Sequence, residues 1–149
     1  MKPWVLIGAV VILAAALIPF WLSGPNLTGA IVNTEDIKIP LSEITSQAKW
    51  YEYDAEGVKV RFFAVRASDG SVKTGFDACD VCYTSKKGYR QEGGYMVCNN
   101  CGNKYPINGL GVENKKTGGC WPGYLPSIIK ENALVINKLN LEEGKKFFV

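Results

Sequence analysis

Five cysteines carry the chemistry legible in this sequence: Cys79-x-x-Cys82, Cys98-x-x-Cys101 and the single Cys120. A CxxC turn aims two sulfurs at one point, and the loop between two such turns lets them face each other. Four thiolates gathered in this way form a tetrahedral site that suits zinc or an iron–sulfur cluster. The chain contains no histidine. That excludes Ser-His-Asp and Cys-His catalysis, an HExxH zinc site, a CxxCH haem attachment and a Rieske cluster in the strict sense, which needs imidazole ligands. The competing reading is a pair of disulfides, or a thiol–disulfide relay, with one thiol to spare. A disulfide inside a CxxC is more often redox-active than structural, and no βαβ pattern flanks either pair. Metal or cluster binding is therefore expected at Cys79, Cys82, Cys98 and Cys101. For Cys120 three roles stay open: a ligand replacing one of the other four, a thiol beside the centre, or an exchange ligand.

The neighbours of the cysteines suit a buried anionic centre. Lys86, Lys87, Arg90 and Lys104 could offset thiolate charge, although a solvated rim reads equally well. Gly88, Gly93, Gly94 and Gly102 would let backbone amides approach sulfur, and such hydrogen bonds raise a cluster's potential. Tyr83, Tyr89, Tyr95, Tyr105, Trp121 and Tyr124 could exclude water, or could simply be core. Asp77 and Asp80 flank Cys79 and read as turn formers or acceptors. No acid–base pair is visible, so a stand-alone enzyme is not expected.

The elements that must hold these loops read as short strands. Ile37 to Leu41 alternates and leads into a helical turn at Ser42–Thr45. Lys49–Tyr53 precedes a turn at Asp54–Gly57. Val58, Val60, Phe62 and Ala64 alternate with Lys59, Arg61 and Phe63, as in a strand buried on one face. Ser68-Asp-Gly70 turns the chain into a strand over Ser71–Phe76, which completes an antiparallel meander. Near the other end, Ile128-Ile129 and Ala133–Ile136 flank a turn at Glu131-Asn132, a closing hairpin. Leu139–Val149 reads as strand or frayed helix. Between these β-rich flanks, residues 77–126 show no long periodic run, so the cysteines are expected to organise them in place of a hydrophobic core.

The chain has 149 residues, enough for one domain with an anchor or linker to spare. A net charge of +3, from 17 basic and 14 acidic residues, is too mild to argue for nucleic acid. Pro3 to Leu22 carries no charged side chain and as a helix would span about 30 Å, the thickness of a bilayer's hydrocarbon core. Trp4 and Trp21 sit near its ends, where indoles favour the headgroup zone. A cleaved signal peptide would have a shorter apolar region followed by small residues, whereas Ile-Pro-Phe-Trp-Leu-Ser-Gly is bulky. A pilin-like assembly helix would be expected to carry an acidic residue. The sequence thus divides into a transmembrane anchor (1–23), a linker (24–34) and a Cys-rich β domain (35–149) whose metal loops occupy 77–126. Lys2 before the span and Glu35 after it place the folded domain outside the cytoplasm by the positive-inside rule.

Phe76-Asp-Ala-Cys-Asp-Val-Cys-Tyr83, Lys87-Gly-Tyr89, Gln91-Glu-Gly93, Met96-Val-Cys-Asn-Asn-Cys-Gly102 and Gly118-Gly-Cys120 together resemble the FtrD-like membrane iron–sulfur proteins, over roughly Ile37 to the C-terminus. The resemblance implies a domain attached to the bilayer by one or more spans. It also implies electron transfer to membrane redox or transporter partners in iron uptake, with Cys79, Cys82, Cys98, Cys101 and Cys120 as cluster-binding candidates. A more distant likeness is to the Rieske fold, in which two ligand-bearing loops and a Gly-Pro loop follow a β-meander in the same order. Cysteines stand here where histidines would be, so an all-thiolate [2Fe–2S] centre is expected to lie at a lower potential than a Rieske centre. The expected fold is mainly β: one transmembrane helix, then a small Rieske-like antiparallel domain. The alternative is an extracytoplasmic zinc- or copper-binding module, for transfer or structure, without a redox role.

Overall fold

The computed structural model describes residues 36–116 and 119–149. Among the described residues nine short strands form three antiparallel sheets of three. The first strand and the last two meet in one sheet. There β1 (Ile37–Pro40) pairs with β9 (Ala133–Ile136), which pairs with β8 (Ile128–Lys130) across the expected Glu131-Asn132 turn. The expected meander is the second sheet, β2 (Lys49–Ala55), β3 (Val58–Arg66) and β4 (Val72–Phe76) in that order. The β2–β3 turn is tighter than the sequence suggests. The strand runs on through Asp54 and Ala55, and Glu56 and Gly57 alone make the reversal with φ of 53° and 88°. Positive φ at both central residues matches the right-handed twist of a hairpin, and glycine supplies the second at no steric cost.

β3 departs from the single-faced pattern. Val60, Phe62 and Ala64 face one core with Ile39, Ile44, Leu125, Leu134, Ile136 and Leu141. Phe63 and Val65, on the opposite face, are also fully buried, in a second core with Met96, Tyr89, Tyr105, Ile107 and Leu110. The strand is therefore a partition between two cores, and its run Phe62–Val65 is apolar on both faces because both are covered.

That second core corrects the expectation for residues 77–126. The segment is not without regular structure: β5 (Tyr89–Glu92), β6 (Tyr95–Cys98) and β7 (Lys104–Pro106) form a third sheet. Strands of three or four residues are too short to show a period, and their hydrophobic partners, Phe63 and Val65, lie far away in sequence. A hydrophobic core does help to organise this region, and Cys79 and Cys98 are part of it.

The C-terminal stretch is helical. Asn137 accepts the Leu139 amide at 2.8 Å and caps α1 (Lys138–Gly144), which is followed by a 3₁₀ turn over Lys145–Phe147. Leu141 and Phe147 close the first core. The helical turn expected at Ser42–Thr45 is a 3₁₀ turn over Leu41–Glu43. Among the described residues no helix is long and apolar enough to cross a membrane. The anchor and linker expected within residues 1–34 lie outside the described residues.

Candidate metal centre

Three loops bring the cysteines together. The first leaves β4, whose register with β3 places Phe76 opposite Phe62. The Asp77 amide then donates to the Arg61 carbonyl at 2.9 Å, so the chain is still held to β3 two residues before Cys79. In the turn that follows, the Cys82 amide donates to the Cys79 sulfur at 3.1 Å. The second loop joins β6 to β7. Its Gly102 amide donates to the Cys98 carbonyl at 2.9 Å with φ of 75°, which favours glycine there. The third loop carries Cys120 back to β4 by an antiparallel run. The Phe76 amide donates to the Gly123 carbonyl and the Gly123 amide to the Ala78 carbonyl, both at 2.8 Å. The buried Thr74 hydroxyl donates to the Leu125 carbonyl at 2.7 Å. These bonds fasten the residues just after Cys120 beside those just before Cys79.

All five sulfurs take part in the result. Cys79, Cys82 and Cys120 place their sulfurs within 4.8 Å of one another, as do Cys82, Cys98 and Cys101. Cys82 belongs to both sets, and its sulfur lies 3.6 Å from that of Cys120. Cys79 and Cys98 are buried at 1% and 2% exposure, Cys82 and Cys120 are half-buried, and Cys101 is exposed. The cluster thus runs from the second core to the surface. None of the five is in a disulfide. The donor set is sulfur alone, which fits a soft metal, zinc or an iron–sulfur cluster and argues against magnesium or calcium.

Burial governs the electrostatics. It pushes the Cys98 thiol up to about 11 and the Cys120 thiol up to about 12. The Cys82 thiol is held below its usual range, chiefly by a hydrogen bond from the Asn100 side chain. That bond favours the thiolate at Cys82, the sulfur common to both sets. Gathering further thiolates requires a cation to offset their charge. The basic residues expected in that role divide. Arg90 and Lys104 both pair with Glu92, at 2.6 and 2.8 Å, and are committed to that carboxylate. Lys86 lines a cleft of about 370 Å³ with Lys59 and Arg61, opening onto Cys79, Cys82 and Cys98.

The aromatics divide too. Tyr89 and Tyr105 are buried beside the cysteines, and Trp121 packs on Tyr105 with ring centroids 4.9 Å apart. A Cβ on Gly109 would come within 2.7 Å of the Trp121 ring, so that glycine provides the seat for the third loop. Tyr83 packs instead against the first core and Phe147. Tyr95 and Tyr124 are exposed at 48% and 36% and wall off nothing. Glycine amides were expected to approach sulfur; the Cys82 amide does so at Cys79, at 3.1 Å, and the Asn100 and Cys101 amides act on Cys98.

Two side chains matter more than the sequence suggests. Asp77 is no simple turn former. Its buried carboxylate accepts the Tyr89 amide at 2.7 Å and the Trp50 indole N–H at 3.3 Å, and it faces the Arg61 guanidinium at 3.3 Å. Burial raises its pKa, against the pull of these donors. Asn114 is buried, accepts the Gly111 amide at 2.6 Å and donates to the Pro122 carbonyl at 3.0 Å, bracing the third loop from behind. Nothing in the local sequence marks Asn114, whereas the position of Asp77 next to a CxxC was a signal.

Known proteins were compared with this chain. The model of one family, described as "Membrane iron-sulfur containing protein FtrD-like", matches residues 44–148, the greater part of the sequence and all five cysteines. No curated protein and no solved structure matches, so the Rieske likeness rests on the order of the motifs alone.

Proposed function

We propose, the chain being a member of the FtrD-like family of membrane iron–sulfur proteins, that four of its five gathered cysteines ligate an iron–sulfur cluster of the [2Fe–2S] type, with the fifth thiol beside it, and that the domain passes electrons to a membrane partner. The observation that carries this reading is the meeting of five sulfurs from three loops, in two sets that share Cys82. When bound, the cluster supplies a centre that takes up and releases an electron.

The chain's own residues do the rest. Cys79 and Cys98 hold the buried side and Cys101 the exposed side, where a partner can approach. Cys82 and Cys120 join the two. Met96, Tyr89, Tyr105 and Leu110 keep water from the inner sulfurs. Pro3–Leu22 as a single span, residues 24–34 as a tether and the β domain outside the cytoplasm complete the proposed arrangement. Within it, the partner is a membrane redox or transporter subunit, and metal uptake is the proposed setting. The test is anaerobic purification of the full chain in detergent. Iron and acid-labile sulfide near two per chain, with visible charge-transfer absorption, are expected. A colourless protein without iron overturns the reading.

One observation favours a second reading. Two three-sulfur sets sharing a thiolate also suit a pair of Cu(I) ions, which accept trigonal soft coordination. Copper at two per chain in the same elemental analysis, without sulfide, would establish it.

A further inference from the structure

The segment Lys87–Tyr89, at the start of β5, contains no cysteine, yet it is tied to all three cysteine loops. Toward the first loop, the Tyr89 amide donates to the Asp77 carboxylate at 2.7 Å, two residues from Cys79. Toward the second, the Asn99 amide donates to the Gly88 carbonyl at 3.0 Å, and the Asn99 side chain donates to the Lys87 carbonyl at 2.9 Å. Asn99 lies between Cys98 and Cys101. Toward the third, the Tyr89 hydroxyl donates to the Cys120 carbonyl at 2.5 Å. The fit leaves no slack. Gly88 has φ of 63°, and a Cβ there would stand 2.4 Å from an Asp77 carboxylate oxygen.

We propose that Tyr89 is the positioning residue of the metal centre, fixing the Cys120 loop against the Cys79 and Cys98 loops through the hub at 87–89. Its amide end is set by Asp77, which Trp50 and Arg61 hold in turn. Its ring is buried in the second core, edge-on to Tyr105, so the hydroxyl arrives at the Cys120 carbonyl from a rigid base. A buried ring with one fixed donor orients a loop without itself being a ligand, as side chains behind a metal site commonly do. Releasing this bond frees the Cys120 loop to move against the other two, so the potential of the centre reads the loop's position. The inference rests on the iron–sulfur reading only for the potential; the positioning of Cys120 holds for any metal.

The experiment uses the full chain in detergent and the variant Tyr89→Phe, which removes one oxygen. Two quantities are read: the midpoint potential of the anaerobically purified protein, and the rate at which iodoacetamide alkylates Cys120 relative to Cys101 in the metal-free protein, mapped by mass spectrometry. The expected result is full iron and sulfide content, a shifted potential, and Cys120 labelling several-fold faster with Cys101 unchanged. An unchanged Cys120 rate overturns the proposal whatever the potential does. If the wild type holds no iron, the cluster reading fails and the Cys120 rate alone decides the positioning role. Should Tyr89→Phe lose its circular dichroism signal, Asp77→Asn replaces it with the same readouts and criteria. That change keeps the side chain's volume and weakens its hold on the Tyr89 amide.

Discussion

At the scale of the residue, the five thiols are not equivalent, and the shared position of Cys82 makes a definite prediction. Serine at Cys79 or Cys120 leaves the Cys82–Cys98–Cys101 set whole, and serine at Cys98 or Cys101 leaves the Cys79–Cys82–Cys120 set whole. Serine at Cys82 breaks both. Metal content measured across the five single variants should fall furthest for Cys82→Ser, and a Cys82→Ser protein as fully loaded as the wild type would refute the shared role. Protonation gives a second prediction. Burial holds the Cys98 and Cys120 thiols near 11 and 12, so at neutral pH both are protonated in the metal-free protein. Ligation must displace those protons, and affinity therefore rises with pH. For each proton released, the association constant should climb about tenfold per pH unit between roughly pH 6 and 8. Competitive zinc titration across that range measures the slope; a flat profile would mean that the metal does not take these sulfurs as thiolates.

At the scale of the element, the close contact between α1 and β4 decides the sign of a substitution. Gly144 lies in the last turn of α1, where alanine would ordinarily gain about 1 kcal/mol in helix propensity. A Cβ there would stand only 2.2 Å from the Phe76 ring, which is itself packed on Phe147 at 5.6 Å. The ring has no free direction to move in, so Gly144→Ala should destabilise by about 1–3 kcal/mol. Thermal melting of the purified protein checks this; a raised Tm would show that the helix can shift away from β4. The hairpins illustrate how local chemistry reads through. The Glu131-Asn132 turn and the β8–β9 hairpin follow from turn residues between β-formers, as does the presence of a β2–β3 turn, though not its confinement to Glu56-Gly57. β5, β6 and β7 do not read through, because each is too short to display alternation and each is stabilised by residues of β3.

At the scale of the whole molecule, the two cores share β3 but differ in what holds them. The first is closed by Leu134, Ile136, Leu141 and Phe147, and contains no cysteine. The second contains Cys79 and Cys98, with Cys82 and Cys120 packed against it, so a metal held by these sulfurs would stabilise it directly. Stripping the metal with a chelator should therefore loosen one half of the protein. Hydrogen–deuterium exchange is expected to speed up across residues 77–123 while β1, β9 and β8 keep their protection. Equal acceleration in both halves would mean that β3 couples the cores into a single cooperative unit. As a member of the FtrD-like family the protein belongs to a membrane context.

The sequence by itself determined the donor chemistry, because five cysteines and no histidine leave sulfur as the soft ligand whatever the fold. It also determined the family, the meander and the closing hairpin, since these depend on neighbours a few residues apart. Only the tertiary structure decided that Cys120 joins the other four, that Cys82 is common to both sulfur sets, and that Asp77, Tyr89 and Asn114 hold the loops in place. The reason is physical. Those relations are set by hydrogen bonds such as Gly123 to Ala78 and Tyr89 to Cys120, and by the second face of β3, which join residues distant along the chain and leave no periodic or local trace in it.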